Sequence, residues 1–288
     1  MPTIKLQHPL DPIQISVFSD LVSEFDRIDI DYVVIGALAR DIVLWHCHGI
    51  GAGRATRDTD TAILVSSWDE FKTVKTALVD SGRFTDPESP KRQPQRLIYI
   101  GSGGSYEMPV DLVPFGGIER ADGKLVWPPD GDFVMPTTGH REVLADKLDV
   151  AITNDISLNV APIRGITLLK LFAWHDRPDE RQKDAHDLKV FILNYHQTGN
   201  EERLYGEDID IFERFDFDVE RAGAFLLGRD VAALASSDTR AALETLISDE
   251  RMIELLTIHM LGAAPLDDAL ARPRSNLVEF IEGLMHDR

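Results

Sequence analysis

The chain reads as an α/β protein of the α+β kind, and three observations predict it. Short apolar runs with strand character, such as Tyr32-Val33-Val34-Ile35, alternate with segments of helical periodicity up to about residue 161. Beyond Pro162 the pattern is helical almost to the end. Composition changes at the same place, which divides the 288 residues into two expected units, 1–161 and 162–288.

Asp11-Pro12 opens the first helix, and Val17, Phe18, Leu21, Val22 and Phe25 recur at helical spacing to about Arg27. Tyr32 to Ile35 follows as a buried strand, and Gly36 ends it before a second helix, Ala37 to about His46. A glycine-rich stretch, Gly49 to Gly53, leads through Arg54-Ala55-Thr56-Arg57 into Asp58-Thr59-Asp60 and a strand at Ala62 to Val65. Ser67 caps a helix from Trp68 to about Ser81, and the polar, proline-dotted Thr85 to Gln95 is a loop. Strands are expected at Arg96 to Ile100 and at Tyr106 to Pro114, joined by the turn Gly101 to Gly104. Gly116 to Ala161 is mixed in pattern. Helices are then expected near 164–176, 179–196, 218–228, 238–261 and 274–286.

Hydrophobic residues at 43% and charged residues at 27% are those of a globular chain. No segment approaches the roughly 20 apolar residues that span a bilayer, and the start Met-Pro-Thr-Ile-Lys lacks an apolar signal core, so a cytoplasmic protein without a membrane partner is expected. The single cysteine, Cys47, argues against an internal disulfide and a cysteine-based metal site. His46 and His48, two apart on a helix, point away from each other and argue against zinc. With 49 acidic against 30 basic residues, the net charge of −19 opposes broad adhesion to nucleic acid and favours solubility. Lys91, Arg92 and Arg96 form one basic cluster, either solvated or touching an RNA backbone.

Five D-x-D triplets occur in this acidic chain, so spelling alone selects none. Context selects Asp58 and Asp60. Residues two apart on a strand share a face, so the strand ending at Val65 would converge these two carboxylates, which stay ionised together when a cation lies between them. Upstream, Gly36 permits a sharp turn that lets the amides opening the Ala37 helix face a polyphosphate. A third carboxylate, Asp111 in Val110-Asp111-Leu112, would complete a two-ion site while its neighbours face the core. Arg54 and Arg57 either bind phosphate or balance the aspartates.

Ile35-Gly36-Ala37, Arg54-Ala55-Thr56-Arg57-Asp58-Thr59-Asp60 and Val110-Asp111-Leu112-Val113-Pro114-Phe115-Gly116-Gly117-Ile118-Glu119 together resemble the DNA polymerase beta-like nucleotidyltransferase superfamily, and more narrowly the AbiEii toxin family. Leu168 to Arg177 and Lys183 to Leu188 are similar to that family's downstream motif, so the resemblance spans about residues 30–195. It implies a nucleotidyltransferase fold with a small mixed β-sheet flanked by helices, then a helical part that closes the cleft. It also implies Mg2+, two ions with Mn2+ as an alternative, held by Asp58, Asp60 and Asp111. The implied reaction is transfer of a nucleoside monophosphate from an NTP to an acceptor, RNA or a small molecule, by a toxin whose partner would be a cognate antitoxin. Gly36, Ala37 and Arg57 would contact the nucleotide. The chain departs from the superfamily in carrying Ala37 where a second glycine or a serine is usual.

In the helical part Lys170 shares a face with Ile166, Leu169 and Ala173, so it needs an anionic partner. Asp184 lies on the apolar stripe of the next helix. The two either form a structural ion pair or belong to the nucleotide pocket. A catalytically inactive nucleotide-binding or protein-interaction module is the alternative to an enzyme.

Overall fold

The computed structural model describes residues 3–51, 56, 58–87, 93–104, 107–120, 123–128, 131, 133–261 and 268–286. They divide into two compact units, Met1–Pro162 and Ile163–Arg288.

The first unit is built on a mixed sheet. Its strands are β1 (Ile4–Lys5), β2 (Tyr32–Ile35), β3 (Thr59–Val65), β4 (Phe84–Thr85), β5 (Arg96–Tyr99) and β6 (Met108–Gly116). A separate hairpin is formed by β7 (Lys124–Val126) and β8 (Val134–Pro136), and β9 (Leu148–Ala151) and β10 (Ser157–Val160) return to the main sheet. Its order is β1-β9-β10-β2-β3-β6-β5-β4, eight strands rather than a small sheet. β3 runs parallel to β6, while β2 and β5 flank that pair antiparallel. All four residues of β2 are buried, as its unbroken apolar run requires.

Helices α1 (Pro12–Arg27) and α3 (Trp68–Asp80) each carry one apolar stripe. In α1 it is Val17, Phe18, Leu21 and Phe25, in α3 Phe71, Val74 and Leu78. The Ser67 hydroxyl accepts from the Glu70 amide at 3.1 Å and starts α3. α1 is tied to the sheet where the Tyr99 hydroxyl donates to Asp20 at 2.8 Å. On the other face α4 (His140–Ala145) lays the His140 ring against Phe115 of β6. Between β2 and β3, α2 (Gly36–Asp41) continues as a π-helical turn, Ile42–Cys47.

The second unit is helical: α5 (Ile163–Asp176), α6 (Gln182–Asn194), α7 (Glu201–Leu204), α8 (Ile209–Arg214), α9 (Val219–Leu234), α10 (Ser237–Ser248), α11 (Glu250–Leu261) and α12 (Asp268–Leu284). The α/β class, the mixed sheet flanked by helices and the helical part that follows are therefore as expected. The single helix expected over 238–261 is two, because Asp249 leaves helical geometry at ψ 96° and caps the amides of Arg251 and Met252. Among the described residues no helix is long and apolar enough to cross a membrane.

Candidate active site

Strand register brings two of the three predicted carboxylates together. Asp60 of β3 stands directly beside Asp111 of β6, and the row extends to Ile35 of β2 on one side and Arg96 of β5 on the other. Paired residues of adjacent strands share a face and lie about 5 Å apart. The alternation is clean, since Thr59 and Thr61, on either side of Asp60, are buried on the opposite face. Asp58 precedes β3 by one residue and is exposed.

The chain turns at the end of this row. Gly36 follows Ile35 with φ +71°, a left-handed conformation that glycine adopts without steric cost. A Cβ built there would collide with the Asp60 carboxylate and crowd its Cβ and Cγ at 3.0 Å. Glycine at 36 is thus what gives the Asp60 side chain its place. Ala37, half-buried, is the second residue of α2.

Arg96 is a site residue that sequence reasoning left among solvated or RNA-contacting cations. Its Nε and Nη2 donate to Oδ1 and Oδ2 of Asp111, each at 2.8 Å, a bidentate fork with both side chains partly buried. Arg96 is held charged even above its ordinary range, first by that hydrogen bond and then by the charges of Asp111, Asp58 and Asp60. Arg57, and Lys91 and Arg92 of the basic cluster, lie outside the described residues.

Lys170 and Asp184 meet in the second unit. The Lys170 ammonium donates to Asp184 at 2.6 Å and pairs with Asp187 at 2.8 Å, all three buried, while Arg181 approaches Asp184 at 3.7 Å. The anion that a buried lysine demands is therefore doubled. His46 and Cys47 serve packing: the His46 ring meets the His8 carbonyl at 2.8 Å, and burial pushes the Cys47 thiol up to about 11. Among the described residues no group of three or more His, Cys, Asp or Glu is gathered closely enough to hold a metal ion by itself. What the row offers a cation is hard oxygen donors on one strand pair, with the Gly36 cradle keeping one of them in place.

No family model matches the chain, and no curated protein is significantly similar to it. Among solved structures it resembles an antigenic nucleotidyltransferase-like protein from Paracoccidioides brasiliensis, at 18% identity and a TM-score of 0.44 over 74% of this chain and 95% of that one. It also resembles the antibiotic-resistance factor ANT(2'')-Ia, at 11% identity and a TM-score of 0.39 over 72% of this chain and 98% of that one. A third likeness is to the Thermotoga maritima CCA-adding enzyme complexed with tRNA, at 12% identity and a TM-score of 0.27 over 96% and 80% of the two chains. Identities this low, with every TM-score below 0.5, decide neither family nor activity.

Proposed function

We propose that this chain is a divalent-metal-dependent nucleotidyltransferase that moves a nucleoside monophosphate from an NTP to an acceptor hydroxyl and releases pyrophosphate. One observation carries the reading: Asp60 and Asp111 are register partners on parallel strands, with Gly36 shaped around the Asp60 side chain. Paired carboxylates beside a glycine turn suit a site that takes a cation and a polyphosphate together.

Asp58, Asp60 and Asp111 would hold the metal, Mg2+ or Mn2+, as two ions. When bound, such ions neutralise phosphate charge and lower the pKa of the attacking hydroxyl. The residues of the chain do the rest. Gly36 and Ala37 present backbone amides to the triphosphate, Arg57 adds a phosphate contact, and Asp111 takes the proton that the acceptor hydroxyl loses. The acceptor oxygen forms its bond to the α-phosphorus as the bond to pyrophosphate breaks. Within the superfamily, the AbiEii toxin-like family is our finer reading, with RNA or a small molecule as acceptor and a cognate antitoxin as partner. Lys170 and Asp184 enter through their ion triplet with Asp187, in which two carboxylates meet the lysine's charge. We assign them first to the stability of the second unit and only then to a phosphate contact.

The second reading, an inactive nucleotide-binding or protein-interaction module, draws on the Arg96 fork that occupies both oxygens of Asp111. Incubation with Mg2+, labelled NTPs and total RNA or small-molecule acceptors, beside an Asp60→Asn control, separates the two. Label transfer or pyrophosphate release above the control supports the enzyme. Nucleotide binding without either supports the module.

A further inference from the structure

Arg96 touches the site more intimately than any role given above requires. Its backbone is anchored from several directions: the Arg96 amide donates to the Gln93 carbonyl at 2.9 Å and the Leu112 amide to the Gln95 carbonyl at 2.9 Å. Lys75 donates to the Pro94 carbonyl at 2.9 Å and reaches that of Arg96 at 3.4 Å. From this fixed base the planar guanidinium meets the carboxylate with both prongs, a match that lysine cannot reproduce. Its side chain is 24% exposed and that of Asp111 13%, so the pair faces the open side of the row and is not sealed in the core.

We propose that Arg96 is a positioning residue of this site, which fixes the angle of Asp111 beside Asp60 and sets how tightly the carboxylate row takes a divalent cation. The proposal rests on the nucleotidyltransferase reading for its effect on transfer, and on the row alone for its effect on cation binding. Unscreened, two carboxylates side by side on neighbouring strands repel and splay. Arg96 supplies one fixed positive charge beside this pair, and the fork leaves each carboxylate oxygen of Asp111 a second lone pair. Removing its charge should tighten a divalent ion by on the order of tenfold, the Coulomb effect of a unit charge about 6 Å away in water. Removing its fork should release Asp111 from alignment, and misplacement of that kind costs turnover by roughly 100-fold.

The test is a Mn2+ titration of the full chain, read by electron paramagnetic resonance of the free ion, on wild type, Arg96→Gln, Arg96→Lys and Asp60→Asn. Circular dichroism confirms folding, and pyrophosphate release is measured in parallel. Arg96→Gln is expected to bind Mn2+ about tenfold more tightly and Arg96→Lys to stay within about twofold of wild type, because its charge remains. Both should lose kcat with little change in KM for the NTP. If Asp60→Asn abolishes Mn2+ binding while folded Arg96→Gln binds it no more tightly than wild type, the role of Arg96 falls and the nucleotidyltransferase reading stands. Mn2+ binding indifferent to Asp60 overturns both. Should Arg96→Gln fail to fold, Arg96→Lys carries the test, and wild-type kcat in that variant overturns the positioning role.

Discussion

Replacing Gly36 with alanine probes the site through its backbone, and the structure supplies its own control. Gly36 and Gly82 share φ +71°, but a Cβ at 82 meets nothing within 4 Å whereas one at 36 runs into Asp60. Gly82→Ala should therefore report the left-handed strain alone, about 1–2 kcal/mol. Gly36→Ala adds the overlap with Asp60, about 1–3 kcal/mol for forced repacking, and so should cost about 2–5 kcal/mol in all. The smaller entropy of the unfolded alanine chain offsets both by about 0.5 kcal/mol and cancels in the comparison. Urea unfolding of the two variants measures the difference. Adding Asp60→Ala to Gly36→Ala removes the nearest clashing atoms and should recover most of the excess, giving a coupling on the order of 1–2 kcal/mol. Equal losses in the two single variants, with no coupling to Asp60, would refute the packing of Gly36 against that carboxylate.

Lys170→Met removes the buried ammonium that Asp184 and Asp187 share and should destabilise the chain by about 3–5 kcal/mol in urea unfolding; a loss under about 1 kcal/mol would show the triplet to be unimportant. Burial holds His140 below the ordinary histidine value of 6.5, against the smaller opposing pull of the Thr137 carbonyl, Glu119 and Glu142. The unfolded chain thus binds the proton more readily, and stability is lost as pH falls through the unfolded value. His140→Gln should lose less stability than wild type as pH falls through about 6.5; parallel pH profiles would contradict this. Cys47, buried with its thiol pushed up to about 11, should resist a thiol reagent at neutral pH until urea unfolds the first unit, and prompt labelling of the native chain would count against its burial.

Much of the first unit was legible because its signals are local. The apolar run Tyr32 to Ile35 and the stripe of α1 fall where periodicity puts them, and Gly36 carries the positive φ that a strand-to-helix turn needs. β3 begins at Thr59, earlier than its apolar stretch suggested, because ladder pairing with β2 and β6 continues through the polar Asp60. The mixed stretch after Gly116 hides β7, β8, α4, β9 and β10, elements of three to six residues, too short to show a period, of which β9 and β10 join the main sheet by pairing with the remote β1 and β2. α12 runs through Pro273, which a local reading takes as a boundary. The Arg96–Asp111 fork was illegible for a related reason. Alternation tells which face a residue takes on its own strand, but the register of β5 against β6 is set by the turn between them. Lys170 was recognisable as a buried charge in want of an anion, yet its second partner, Asp187, required the crossing of α5 and α6.

The most direct measurement is an anomalous difference map from crystals soaked with Mn2+ and a non-hydrolysable NTP analogue. A strong peak about 2.1 Å from carboxylate oxygens of both Asp60 and Asp111, with triphosphate density beside Gly36, is the predicted result. Mn2+ found only at other acidic clusters, with no peak along the Asp60–Asp111 row, would contradict the account.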